Sequence, residues 1–151
     1  RCPLCGIYYH YRFTYEYLVN GSEDEETLTR LAPTQARAFL TEGEYERLVA
    51  HHQKSLAHPE ALTRSYAAKC LVAHHLALGD LAAIKELLGH PNPDVIYGTL
   101  SFLASLAWDN LLPPETAALR ECITDLASSS DQPIADRAAY LLKYGLPGHQ
   151  R

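Results

Sequence analysis

The longest apolar stretch of the chain covers residues 95–108, fourteen positions without a charged side chain. One helical stripe in it is formed by Ile96, Leu100, Leu103 and Ala107. Further apolar residues continue around the helix, and a helix that is apolar nearly all round is buried on more than one side. The stretch is too short to cross a membrane, which takes about 20 residues. The pattern therefore predicts the central helix of a helical stack.

From residue 44 onward, amphipathic patterns with a helical period alternate with proline, glycine and aspartate. Predicted breaks lie at His58-Pro59, Gly79-Asp80, residues 89–93, residues 113–114 and residues 128–131, and Gly145 ends the last helix. The segments pair into about three two-helix units. Leu56, Leu88 and Leu126 mark equivalent ends, 32 and 38 residues apart, as expected for a repeated unit.

Each unit has a short polar or proline-containing turn and then a helix with small residues in its middle. The third unit carries the clearest motif, with Asp131, Ile134, Arg137, Ala138, Ala139 and Leu142. This theme resembles HEAT repeats over about residues 44–145. The resemblance implies a short α-solenoid that acts as a scaffold or a partner-binding surface. The segment YEYLVNGSEDEETLTRL also resembles segments of bacterial proteins, which implies nothing about function.

The N-terminal part has a different period. Residues 7–19, from Ile7 to Val19, alternate strictly over thirteen positions and include six aromatic side chains, which predicts a β-strand. A single strand needs partners for its backbone groups. It can bend into a hairpin near His10–Thr14, pair with residues before Arg1, or pair with a second copy or a partner chain. Since the chain contains no methionine, we expect residues before Arg1.

Asn20-Gly21 ends the predicted strand. Ser22 and Glu25 match a capping box, which predicts a helix from Ser22 to about Leu31. Pro33 begins a second short helix with Phe39 and Leu40 facing inward. We therefore divide the chain into an N-terminal knuckle and strand (residues 1–21), short capping helices (22–43) and helical repeats (44–151). The predicted fold class is mostly α, with a small N-terminal β element.

The sequence Cys2-Pro3-Leu4-Cys5-Gly6 resembles half of a zinc ribbon. Two thiolates at this spacing can chelate one Zn²⁺, but a closed structural site needs four ligands. The candidates for the remaining ligands are His10, the pair Cys70 and His74 on one helical face, and residues before Arg1. The alternative is a knuckle of free thiols that cross-links on oxidation.

Charge and the remaining histidines restrict the function classes. The net charge of −5 argues against a nucleic-acid surface, so we expect the tyrosine-rich strand to pack against the helices rather than stack on bases. Without an 18-residue apolar run or a signal-like start, we expect no membrane contact and a cytoplasmic, reducing location. His51 is predicted to lie near Ser65 and Tyr66 and away from His74, which precludes a four-histidine cluster.

Two functions follow from these patterns. The favoured one is a non-catalytic protein-interaction or scaffold module with a protein partner or a homodimer through the strand at residues 7–19. The alternative is a zinc-binding or redox-responsive protein that uses Cys2 and Cys5, including a metal-dependent enzyme.

Overall fold

The computed structural model describes residues 8–19 and 21–146. These residues form seven α-helices and a small antiparallel sheet of two strands. The predicted fold class, mostly α with a small N-terminal β element, is confirmed. Among the described residues, no helix is both long enough and apolar enough to cross a membrane.

The two strands form a hairpin that the sequence predicted only in part. β1 (Tyr9–Leu18) pairs with β2 (Gly21–Arg30), with Tyr9 opposite Arg30 and Leu18 opposite Gly21. The expected helix from Ser22 is wrong. Of the three alternatives left open for the strand, a bend near His10–Thr14 is also wrong, because β1 runs through these residues without a break. Asn20-Gly21 directly after an alternating segment is a turn signal, and the turn prevailed over the capping box. Gly21 has φ +146°, a conformation that other residues rarely adopt. β2 begins at Gly21, so the hairpin extends across the boundary predicted between residues 21 and 22.

The helices end close to the predicted breaks. They are α1 (Pro33–Arg37), α2 (Glu42–Ser55), α3 (Ala61–Leu78), α4 (Leu81–Leu88), α5 (Pro93–Trp108), α6 (Arg120–Leu126, preceded by a 3-10 helix at Pro114–Leu119) and α7 (Gln132–Tyr144). Asp80 caps α4 as expected, because its carboxylate accepts a bond from the Ala83 N–H at 3.1 Å. α1 already ends at Arg37, so Phe39 is exposed and the expectation that it faces inward is wrong.

The helices stack in two layers. α2 packs on α3, α4 on α5 and α6 on α7, while α5 lies between α3 and α7. The fully buried side chains come largely from the layer formed by α3, α5 and α7. They include Leu71, Leu100, Leu103, Leu106 and Leu141. The prediction that α5 is the central helix is therefore confirmed.

α3 and α5 approach each other closely at Gly98. A Cβ atom at this position would lie 2.4 Å from the backbone oxygen of Ser65. Only glycine fits such a contact without moving a helix. Gly98 is one of the small residues that the repeat pattern has in the middle of its helix.

The hairpin is attached to the stack mainly at its base. The Leu31 N–H donates to the Tyr8 carbonyl at 2.9 Å, and both residues border a small cavity beside Ala73 and Phe102. Away from the base, β1 and β2 contact chiefly each other. The hairpin thus projects from the helices and presents two faces.

Candidate functional site

The predicted metal ligands are distributed over very different environments. Cys2 and Cys5 lie outside the described residues, so the zinc knuckle stays a prediction. Elemental analysis of the untagged chain, with and without Cys5→Ser, tests it. His10 lies on β1 opposite Thr29, and its side chain is exposed.

Cys70 and His74 both lie in the interior, on α3. They are 1% and 4% exposed. Within residues 8–19 and 21–146, no three histidine, cysteine or acidic side chains come together in a group that could hold a metal ion. His10 therefore does not join Cys70 and His74 in such a group.

The histidines of α2 and α3 are closer together than expected. His52, rather than His51, contacts Tyr66, and its ring also stacks on His74 with centroids 6.2 Å apart. The prediction placed His51 away from His74 and did not anticipate that its neighbour His52 contacts His74. Both residues point into the α2–α3 interface because they lie on the buried stripes of their helices.

Tyr45 also lies in the α2–α3 interface, where its contacts hold helices together. Its hydroxyl donates to the His74 carbonyl at 2.8 Å, and its ring meets the His74 ring edge-on at 4.9 Å. Arg37 lies over the other side of the Tyr45 ring, 4.2 Å from its centroid. Burial raises the pKa of Tyr45, which keeps its hydroxyl a donor at neutral pH. The cluster joins α1, α2 and α3.

An open groove lies between α5 and α7. It consists of three adjoining depressions of about 860, 650 and 600 Å³, solvent included. Tyr140 lines all three, Trp108 lines the first two, and Arg137 lines the last two. We define the α5–α7 groove by these three residues together with Tyr97, Ser101, Ser105 and Tyr144. Its walls are two helices fixed by the core beneath them.

The groove follows from a second stripe on each helix. On α5, Tyr97, Ser101, Ser105 and Trp108 recur every three or four residues on the face away from Leu100 and Leu103. Arg137, Tyr140 and Tyr144 do the same on α7. Trp108 is 76% exposed. The sequence analysis treated α5 as apolar all round and missed this stripe, although its larger polar and aromatic side chains distinguish it.

Arg137 gives the groove a positive centre. Its Nη2 atom lies 3.5 Å from the Tyr97 hydroxyl oxygen, and its guanidinium carbon lies 5.8 Å from the ring centroid. The hydrogen bond from Arg137 lowers the pKa of Tyr97, with smaller contributions from Ser101 and from the charge of Lys69. Arg137 forms no ion pair with any residue that the structure describes. Asp136 lines the same depression but accepts a hydrogen bond from Gln132 and forms no ion pair with Arg137, so the guanidinium can still meet an anion that enters the groove.

Arg30 links the groove to the hairpin. Its guanidinium donates to the Ser105 carbonyl at 3.2 Å and to the Ser105 hydroxyl at 3.0 Å, and it also forms an ion pair with Asp109. The ion pair neutralises both charges at this end of the groove. β2 is therefore fixed to α5 next to Trp108.

No protein-family model matches the chain, and neither a curated protein nor a solved structure shows significant similarity to it. Functional conclusions accordingly come from the residues and geometry above.

Proposed function

We propose that the chain is a protein-interaction module with a HEAT-like helical stack, and that the α5–α7 groove binds a segment of a partner protein. The observation that carries the proposal is the continuous row of Trp108, Tyr140 and Tyr144 beside Arg137. Tryptophan, tyrosine and arginine are the residue types that dominate binding energy at protein interfaces.

The groove also favours one kind of segment. Its aromatic end offers flat apolar surface, so the segment supplies apolar side chains there. Its centre offers the unpaired guanidinium of Arg137, which hydrogen-bonds a carboxylate well. Lys143 adds positive charge 4.8 Å from the Tyr144 ring centroid. The proposed ligand is thus a peptide with apolar residues and at least one acidic residue.

Trp108 is the only tryptophan of the chain and serves as a built-in reporter for the groove. Peptides are first selected from a random twelve-residue library on the intact chain and then titrated by tryptophan fluorescence. We expect acidic, apolar peptides that shift the Trp108 emission to the blue and saturate, because binding removes water from the exposed indole.

Arg137→Gln should weaken these peptides about tenfold or more, since a hydrogen bond to a charged group contributes about 1.5–3 kcal/mol. The matched control is Arg47→Gln, which removes the same charge from an exposed arginine on α2. An equal loss in the two variants contradicts the proposal, because it would show that net charge alone attracts the peptides. Selection of peptides that leave the Trp108 emission unchanged contradicts it as well.

A further inference from the structure

The hairpin carries a second aromatic surface that the groove does not explain. Every second residue of β1 points to one face, which we call the aromatic face; its rings are Tyr9, Tyr11, Phe13, Tyr15 and Tyr17. These side chains are between 39% and 87% exposed. By the register, Leu28, Glu26 and Asp24 of β2 lie on the same face, opposite Tyr11, Phe13 and Tyr15.

The aromatic face has little cover within the part of the chain that the structure describes. The sheet has only two strands, and away from its base it scarcely contacts the helices. The five aromatic residues leave roughly 500 Å² of surface in water, comparable to the largest apolar patch of a typical monomer, and such patches are often functional. A two-stranded hairpin gains stability when such a face is covered.

The charges on this face restrict what can cover it. Glu26 and Asp24 form no ion pair with any described residue, and Arg12 lies on the opposite face of the hairpin. Arg30 lies on the aromatic face, opposite Tyr9, but its charge is paired with Asp109 of the stack. A second copy stacked on the same face would place carboxylates against carboxylates, which is unfavourable. Phosphates of a nucleic acid would be repelled for the same reason. Lysine and arginine, in contrast, are attracted both by the carboxylates and by the ring faces.

We propose that the aromatic face docks an extended basic segment of a partner protein, with lysine or arginine at every second position. The rings of β1 repeat every two residues, about 6.8 Å along the strand. Alternate side chains of an extended peptide repeat at the same distance, so successive cations can meet successive rings of β1. The cations over Phe13 and Tyr15 also meet the carboxylates opposite these rings, Glu26 and Asp24. The preference for basic segments separates this surface from the α5–α7 groove.

The probe is a labelled nine-residue peptide of alternating lysine and threonine, with a glutamate–threonine peptide for comparison. Both are titrated into the intact chain by fluorescence anisotropy. We expect saturable binding of the lysine peptide alone. Glu26→Lys should weaken it about tenfold or more, because repulsion replaces attraction at the face. Glu25→Lys makes the same change in net charge on the opposite face, opposite Thr14, and should weaken it no more than about twofold.

The contribution of the aromatic rings to peptide binding is tested with a second pair of matched variants. Phe13→Ser removes a ring from the centre of the face, whereas Phe39→Ser removes an exposed ring after α1. Only Phe13→Ser should weaken the lysine peptide, by about fivefold or more. Should Phe13→Ser unfold the hairpin, the Glu26 and Glu25 variants still decide the question.

Three results would overturn the proposal. Equal losses in Glu25→Lys and Glu26→Lys would show attraction by net charge without a defined face. A dimer in sedimentation velocity that Phe13→Ser dissociates would make a second copy the occupant. Absence of saturable binding of the lysine peptide would remove the site. Arg137→Gln should leave this peptide unaffected, so failure here and failure of the groove proposal are distinguishable.

Discussion

The α5–α7 groove and the aromatic face of the hairpin are both lined by aromatic side chains, but the elements that carry these side chains are packed very differently. The groove lies on helices whose opposite sides are fully buried, as at Leu100 and Leu141. The aromatic face lies on two strands that contact little besides each other. Arg137 makes the groove positive at its centre, whereas Glu26 and Asp24 make the hairpin face negative. A single net charge of −5 conceals this separation.

The difference in packing has a consequence for binding. A groove between packed helices is preorganised, so little ordering entropy is lost when a segment enters it. An exposed two-stranded hairpin is only marginally stable, so a partner that covers it also has to order it. We expect the groove to bind with a fixed shape and the hairpin to gain order on binding.

The largest expected effect comes from the close contact beneath the groove. Gly98→Ala places a methyl group against the Ser65 backbone and should lower the free energy of unfolding by about 3 kcal/mol, the upper part of the range for overpacking. Gly43→Ala is the matched control, because a Cβ there meets nothing within 4 Å on α2. It should be neutral or stabilising by up to about 1 kcal/mol. Urea denaturation measures both, and equal effects would refute the tight α3–α5 contact.

A smaller effect is expected where the two regions meet. Arg30→Gln removes the ion pair with Asp109 and the bonds to Ser105, and because this site is partly exposed, it should cost about 1 kcal/mol. Hydrogen exchange followed by mass spectrometry should then accelerate in residues 9–30 and stay unchanged in α5. Arg12→Gln, on the exposed hairpin, is the control without such an effect. Equal acceleration in α5 would mean that the hairpin and the stack unfold together.

The smallest expected effect is a pH dependence of the free energy of unfolding that comes from His75 in the helical stack. Burial lowers the pKa of His75 from its ordinary value of 6.5, although Asp80 and Glu86 partly oppose the shift. The unfolded chain therefore binds more protons than the folded chain as pH falls below about 6.5, and the free energy of unfolding decreases. His75→Gln should flatten the slope of stability between about pH 7 and about pH 5. An unchanged slope in His75→Gln would contradict this assignment.

The helical part of the fold was largely predictable because its signals are local. Asp80, Gly79 and Pro93 mark helix ends through backbone chemistry that needs no tertiary partner. The helix predicted over residues 22–30 was wrong because two local signals competed. One was the capping box at Ser22 and the other was the turn at Asn20-Gly21. The backbone bonds between β1 and β2 decided in favour of the strand, and such bonds depend on a second segment.

The sequence by itself determined the helical stack and the central place of α5, since the helical period and the breaks between helices can be recognised from consecutive residues. It also determined that β1 is a strand with one aromatic face. Only the tertiary structure decided that His52 meets His74, that Trp108 and Tyr140 from separate helices share one groove, and that Glu26 lies beside Phe13. Each of these pairs is brought together by packing or strand register between distant segments, which spacing along one segment cannot encode.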